Sequence, residues 1–117
     1  MADEKGFTIK ENVTITEEVL SIIAGLAATE VDGVSSLNGG LTGDDITKAG
    51  VGRIAKAIKV SVDEAKNIII KLSVCLDYGY EIPTVCEQVQ EKVKTAVENM
   101  TGLNVSGVDL KIAEISA

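Results

Sequence analysis

From Phe7 to Ile15 the apolar residues Phe7, Ile9, Val13 and Ile15 hold odd positions while Thr8, Lys10, Asn12 and Thr14 hold even ones, a period of two broken only at Glu11. That alternation predicts a half-buried strand. Thr16 then offers a capping hydroxyl, Glu17 and Glu18 suit the positive end of a helix dipole, and Val19, Ile22, Ile23, Leu26, Ala27 and Val31 recur at helical spacing. An amphipathic helix ending near Gly33 is expected, followed by a short strand from Val34 to Leu37. Asn38 to Gly52 holds five glycines in fifteen residues and reads as a mobile glycine-rich loop.

In the back half, Ile58, Val60 and Val62 alternate with Lys59 and Ser61, Asp63 to Asn67 supply turn residues, and Ile68, Ile70, Leu72, Val74, Leu76 and Tyr78 alternate with Ile69, Lys71, Ser73, Cys75 and Asp77. A β-hairpin with one wet face follows from this. Pro83 suits the start of a helix, Ile82, Val85, Cys86, Val89, Val93, Val97 and Met100 form its stripe, and Gly102 suits its C-terminal cap. Val105, Val108, Leu110, Ile112 and Ile115 make a closing strand with Asp109 and Lys111 on its other side. The order predicts a single α+β domain over residues 1–117, in which a largely antiparallel mixed sheet carries two amphipathic helices packed on one face. The open sheet face would then present Thr8, Lys10, Lys59, Ile69, Lys71, Ser73, Asp109 and Lys111.

Composition narrows the chemistry. The chain of 117 residues is 45% apolar but only 3% aromatic, without tryptophan, so stacking platforms for single-stranded nucleic acid are scarce. Histidine is absent, which removes the commonest general base and the His-paired nucleophiles. Cys75 and Cys86 form no CxxC pair, and reduced thiols without a metal or redox role are expected. Neither a catalytic residue nor a cofactor is assigned.

The net charge of −7 opposes phosphate backbones and anionic leaflets. It is unevenly spread: residues 1–47 carry −7, residues 48–71 carry +4 and residues 72–117 carry −4. A basic segment on an acidic protein gives a route to self-association, because it complements the acidic segments of a second copy. The acidic start from Met1 to Gly6 lacks the positive n-region of a signal peptide, and no apolar stretch reaches the roughly 20 residues of a membrane span. A cytoplasmic protein without direct membrane insertion is expected.

Gly40-Leu41-Thr42-Gly43 has the GxxG form of a backbone clamp, with Lys48, Arg53, Lys56 and Lys59 beyond it. Asp44 and Asp45 follow at once and would repel phosphate, so a flexible loop is preferred and nucleic acid is the alternative partner. The adjacent acid pairs, among them Glu17-Glu18 and Asp63-Glu64, read as solvated surface.

Two stretches give a resemblance. One runs from Ile15 through Ile22-Ile23-Ala24 to Glu30-Val31-Asp32-Gly33-Val34. The other runs from Leu76-Asp77-Tyr78-Gly79 through Ile82-Pro83, Val85, Val89-Gln90, Val93-Lys94, Val97-Glu98 and Met100-Thr101-Gly102-Leu103 to Val105, Val108 and Ile112. Over nearly its whole length the chain resembles the alkaline shock protein family of Gram-positive bacteria, a general stress protein family with roles in cell-envelope homeostasis; the match is poor at Asn38 to Gly52. The resemblance implies a non-enzymatic cytoplasmic interaction protein, which in some members gathers beneath the membrane by binding a membrane-anchored relative. The expected partners are a second copy of the chain and a membrane-anchored or envelope-related protein. The candidate partner surface is Lys59, Ile69, Lys71 and Lys111.

Overall fold

The computed structural model describes residues 6–48 and 51–116, the side chains of 47 and 51–53 excepted. The segment expected as one strand is a hairpin of β1 (Gly6–Lys10) and β2 (Val13–Thr16), paired antiparallel with Phe7 opposite Ile15. Glu11 and Asn12 make the turn, and Asn12 takes the left-handed conformation at φ 66°, which asparagine tolerates better than most residues. This hairpin is a sheet of its own. Thr8 and Lys10 therefore do not belong to the open face of the main sheet, contrary to expectation.

The helix α1 (Glu17–Thr29) begins where Thr16 Oγ1 accepts from the Val19 N–H at 3.2 Å. It stops before Gly33, whose φ of 99° no L side chain adopts comfortably. Its buried side is Leu20, Ser21, Ala24, Gly25, Ala27 and Ala28, whereas Val19 is 42% exposed and Ile22, Ile23 and Leu26 are only partly covered. The stripe is rotated from the one expected because the helix packs closely on its small residues. A Cβ on Gly25 would stand 3.0 Å from Ile58 Cδ1 and 3.1 Å from Ile46 Cδ1.

The short strand β3 (Val34–Leu37) follows as expected. The glycine-rich segment is more ordered in outline than a loop: Leu37 N–H donates to the Leu41 carbonyl at 2.7 Å, one short helix, α2 (Gly43–Lys48), lies within it and a second, α3 (Val51–Ala57), begins at its end. Leu41, Ile46 and Ile54 anchor it in the core. Ala49 and Gly50 lie outside the described residues.

The strands β4 (Ile58–Val62) and β5 (Ile68–Asp77) form the expected antiparallel hairpin. At its turn, Asp63 Oδ1 accepts from the Asn67 and Ala65 N–H groups, both at 2.9 Å. The helix α4 (Ile82–Thr101) then crosses to β6 (Val105–Ser116), which runs parallel to β5 from Ile68 to Asp77. Val85, Val89, Val93, Val97 and Thr101 form the buried row of α4, and Gly102 caps it at φ 78°. Ile82 and Met100, expected in that row, are exposed at its two ends.

β3 and β4 both pair with β5, and since β6 occupies one edge of β5 along its length, the other two share the opposite edge end to end. Ile68, Ile70, Leu72, Val74 and Leu76 of β5 face the helices and are buried. The helices α1 and α4 pack against each other as well as on the strands. The result is a mixed α+β architecture with the core between the sheet and these helices.

Leu20→Ala is expected to cost about 2–5 kcal/mol and Gly25→Val about 1–3 kcal/mol by overpacking. Both would appear as a lower urea midpoint at unchanged slope. The hydrogen bond from the Asn67 N–H, aided by that of Ala65, holds the Asp63 carboxyl below the usual carboxylate range. Its stabilisation is therefore present above the ordinary aspartate pKa of about 3.9 and is lost as pH falls through the lowered folded value. Asp63→Ala should be less stable than the parent at neutral pH, with the gap closing in acid when urea unfolding is followed against pH.

Candidate functional site

The sheet face turned away from the helices is built from alternate residues of β4, β5 and β6, so register decides which side chains meet. Lys59 stands opposite Lys71, and Lys71 stands beside Asp109. In the next rows Ser73 lies beside Lys111, and Ser61, Ile69 and Gly107 line up. Like charges directly opposite on paired strands are destabilising, so Lys59 and Lys71 are placed at a cost that Asp109 offsets in part.

A shallow depression on this face is lined by Lys56, Lys59, Lys71, Ser73, Asp109 and Lys111. Four lysines and one aspartate line it on a chain whose net charge is −7. Among the described residues none of these four lysines has an ion-pairing carboxylate, whereas Lys92 on α4 pairs with Glu30 at 3.2 Å. The arrangement is suited to holding an acidic group by charge and multiple N–H donors.

Of the residues singled out from the sequence, Lys59, Lys71 and Lys111 are brought together in this depression. Ile69 lies in the adjacent row and is half-buried rather than open. Lys56 joins them from the end of α3. The alternation that placed Lys59 on the wet face could not place Lys56, because the chain passes from helix to strand between the two. The side chain of Arg53 lies outside the described residues.

The GxxG segment has a different local role. Asp45 Oδ2 accepts from both the Thr42 N–H, at 3.3 Å, and the Thr42 hydroxyl, at 3.1 Å, closing the start of α2 in the manner of a capping box. Leu41, between the glycines, is buried. The carboxylate thus occupies the turn where a phosphate would have to approach.

Cys75 is buried despite its place on the outward side of β5, with its sulfur 3.9 Å from the Leu37 carbonyl oxygen and 3.9 Å from Glu114 Oε1. Burial pushes the Cys86 thiol up from its ordinary range. Among the described residues no group of three or more Cys, Asp or Glu side chains is placed to hold a metal ion, and no helix is long and apolar enough to cross a membrane.

A family profile described as the alkaline shock protein 23 family, cell envelope-related function, matches residues 5–117. The chain is 33% identical over 105 residues to the uncharacterized protein Spy1535 of Streptococcus pyogenes serotype M6, covering 90% of this chain and 79% of that protein. It is 33% identical over 103 residues to the uncharacterized protein YqhY of Bacillus subtilis, covering 88% and 76%. A stress response regulator gls24 homolog of Streptococcus pyogenes serotype M3 is 28% identical over 108 residues, covering 92% of this chain and 60% of that protein. No solved structure matches.

Native protein treated with a thiol-reactive disulfide at neutral pH is expected to label more slowly than free cysteine. Cys86→Ser should remove most of the slow reaction that remains, because Cys75 is covered, and labelling should speed up as pH rises. Fast labelling of either thiol at neutral pH would contradict this.

Proposed function

The chain belongs to the alkaline shock protein 23 family, whose function is cell envelope-related, and we propose that it serves there as a non-enzymatic docking protein of the stress response. It self-associates and binds an acidic surface of a protein partner through the lysine-lined face of its sheet. The observation that carries this reading is the convergence of Lys56, Lys59, Lys71 and Lys111 on an uncovered face of an acidic protein. The name of the gls24 relatives supports the stress-response part of it. The acidic balance supports a further point: the inner leaflet repels this protein, so a membrane-anchored protein partner is what holds it at the membrane from the cytoplasmic side.

The lysine face contacts such a partner through ammonium groups held on three adjacent strands, which orders them before the encounter. Charge complementarity of this kind sets the rate and the specificity of association more than its final strength. The same face can meet the acidic residues 1–47 or 72–117 of a second copy.

The test is co-purification of tagged protein from detergent-solubilised source cells at physiological salt, with the parent, Lys59→Glu/Lys71→Glu/Lys111→Glu and Ile69→Asp/Lys71→Glu compared side by side. The parent should bring down a membrane-anchored protein in near-stoichiometric amount and should exceed monomer mass by light scattering. Both variants should lose the partner and the larger mass while keeping the parent's circular dichroism. Unchanged recovery and mass in both variants would show that another surface docks. Recovery of nuclease-sensitive material would instead favour nucleic acid, whose binding should weaken steeply with salt.

A further inference from the structure

The opposite character appears at the end of the sheet where β5 leads into α4. The chain has only two tyrosines, and both are exposed here, Tyr78 at 77% and Tyr80 at 49%, beside Ile82 at 42% and Ile115 at 41%. With Asp77 and Glu81 these four side chains line one depression. Half of the large apolar side chains exposed among the described residues are therefore gathered at one place, the kind of grouping that marks an interaction surface.

The depression has a fixed wall. Gly33 brings its backbone so near the Tyr80 ring that an added Cβ would lie 3.0 Å from Cγ and from Cδ2. The Glu81 carboxylate is also held, accepting from the Thr84 hydroxyl at 2.6 Å. Among the described residues no lysine or arginine lines the depression, and its two carboxylates outweigh the partial positive charge at the start of α4. Tyrosine faces beside carboxylates favour a cationic side chain.

Next to it runs an edge of β6 that no strand among the described residues pairs. At three other points the sheet edges are met by side chains: Glu17 Oε2 accepts from the Val60 N–H of β4 at 3.4 Å. On β6, Glu98 Oε2 accepts from the Val105 N–H at 2.9 Å, and Gln90 Nε2 donates to the Val108 carbonyl at 2.9 Å. From Leu110 to Ser116 no side chain of the described residues covers β6 in this way, and Ala113 to Ser116 are all exposed. A bare edge offers its N–H and C=O groups to another strand.

We propose that this end of the molecule docks an extended segment of a partner protein that alternates apolar and basic residues, added as a further strand along Leu110 to Ser116. An apolar residue of that segment rests between Tyr78 and Ile115, and its lysine or arginine meets Asp77 and Glu81. The surface is chemically opposite to the lysine face and acts independently of it.

Isotope-labelled protein titrated with a capped peptide of alternating valine and lysine tests this by amide chemical shifts. Saturable shifts are expected at Tyr78 to Ile82 and Leu110 to Ser116. Binding should weaken about tenfold or more for the valine and glutamate peptide, for N-methylation of alternate peptide amides, and for Tyr78→Ser/Ile115→Thr. Those two side chains are exposed, so the variant should keep the parent's spectrum elsewhere. Lys59→Glu/Lys71→Glu should leave peptide binding unchanged, which separates this surface from the lysine face. No saturable shifts, shifts centred on the lysine face, equal affinity for the glutamate peptide, or indifference to N-methylation would each overturn the proposal.

Discussion

Both edges of β5 are hydrogen-bonded along almost its full length, with β6 on one side and β4 and β3 end to end on the other, and its five inward side chains are buried. Both proposed surfaces are positioned from this strand. A residue slip in its register would exchange Lys71 and Ser73 with Ile70 and Leu72, turning the basic face into an apolar one. The buried row on the helix side makes that slip costly, so the core fixes the chemistry of the surface behind it.

That coupling explains how a lysine pair can persist on facing strands. The repulsion between Lys59 and Lys71 is screened by solvent and offset in part by Asp109 on the far side of Lys71. Both lysines sit on backbone held by the core rather than on a loop, so their positions are set before any partner arrives. The apolar, acidic end beyond Asp77 is organised by the same strand, through the turn at Gly79 with its φ of 103°. One β-strand thus leads from a basic surface at its middle to an aromatic surface at its end.

Much of this was legible in the sequence wherever burial produces a strong period. The valines of α4 and the alternation of β4 and β5 are long, regular signals, and the mixed sheet under two amphipathic helices follows from them. The buried side of α1 was not legible in the same way, because Ser21, Ala24, Gly25 and Ala28 carry little apolar weight and are buried for closeness of packing. The first hairpin was hidden by parity: the two-residue turn alone would set odd positions opposite even ones, as at Lys10 and Val13, but the register shift between Thr8 and Lys10 restores Phe7 opposite Ile15, so the alternation resumes after its one break at Glu11 through a reversal of direction. Two short helices in the glycine-rich segment depend on Leu41, Ile46 and Ile54 reaching the core, a tertiary effect that overrides local composition. For the site, period two placed Lys59 and Lys71 on one face, but only the parallel pairing of β6 brings Asp109 and Lys111 beside them.

The parallel pairing of β5 with β6 also shapes how the chain acquires its structure. Residues 78–104, including all of α4, separate the two strands, so their ladder closes a long loop while the hairpin of β4 and β5 closes a short one. During synthesis from the N-terminus, β5 is complete while its second edge still has no partner. Its apolar row is then exposed beside open backbone, a state prone to pairing with other chains. The helix α4 follows to cover that row, and arrival of Val105 to Ser116 then closes the open edge, which makes the last strand of the sheet the element that completes its pairing.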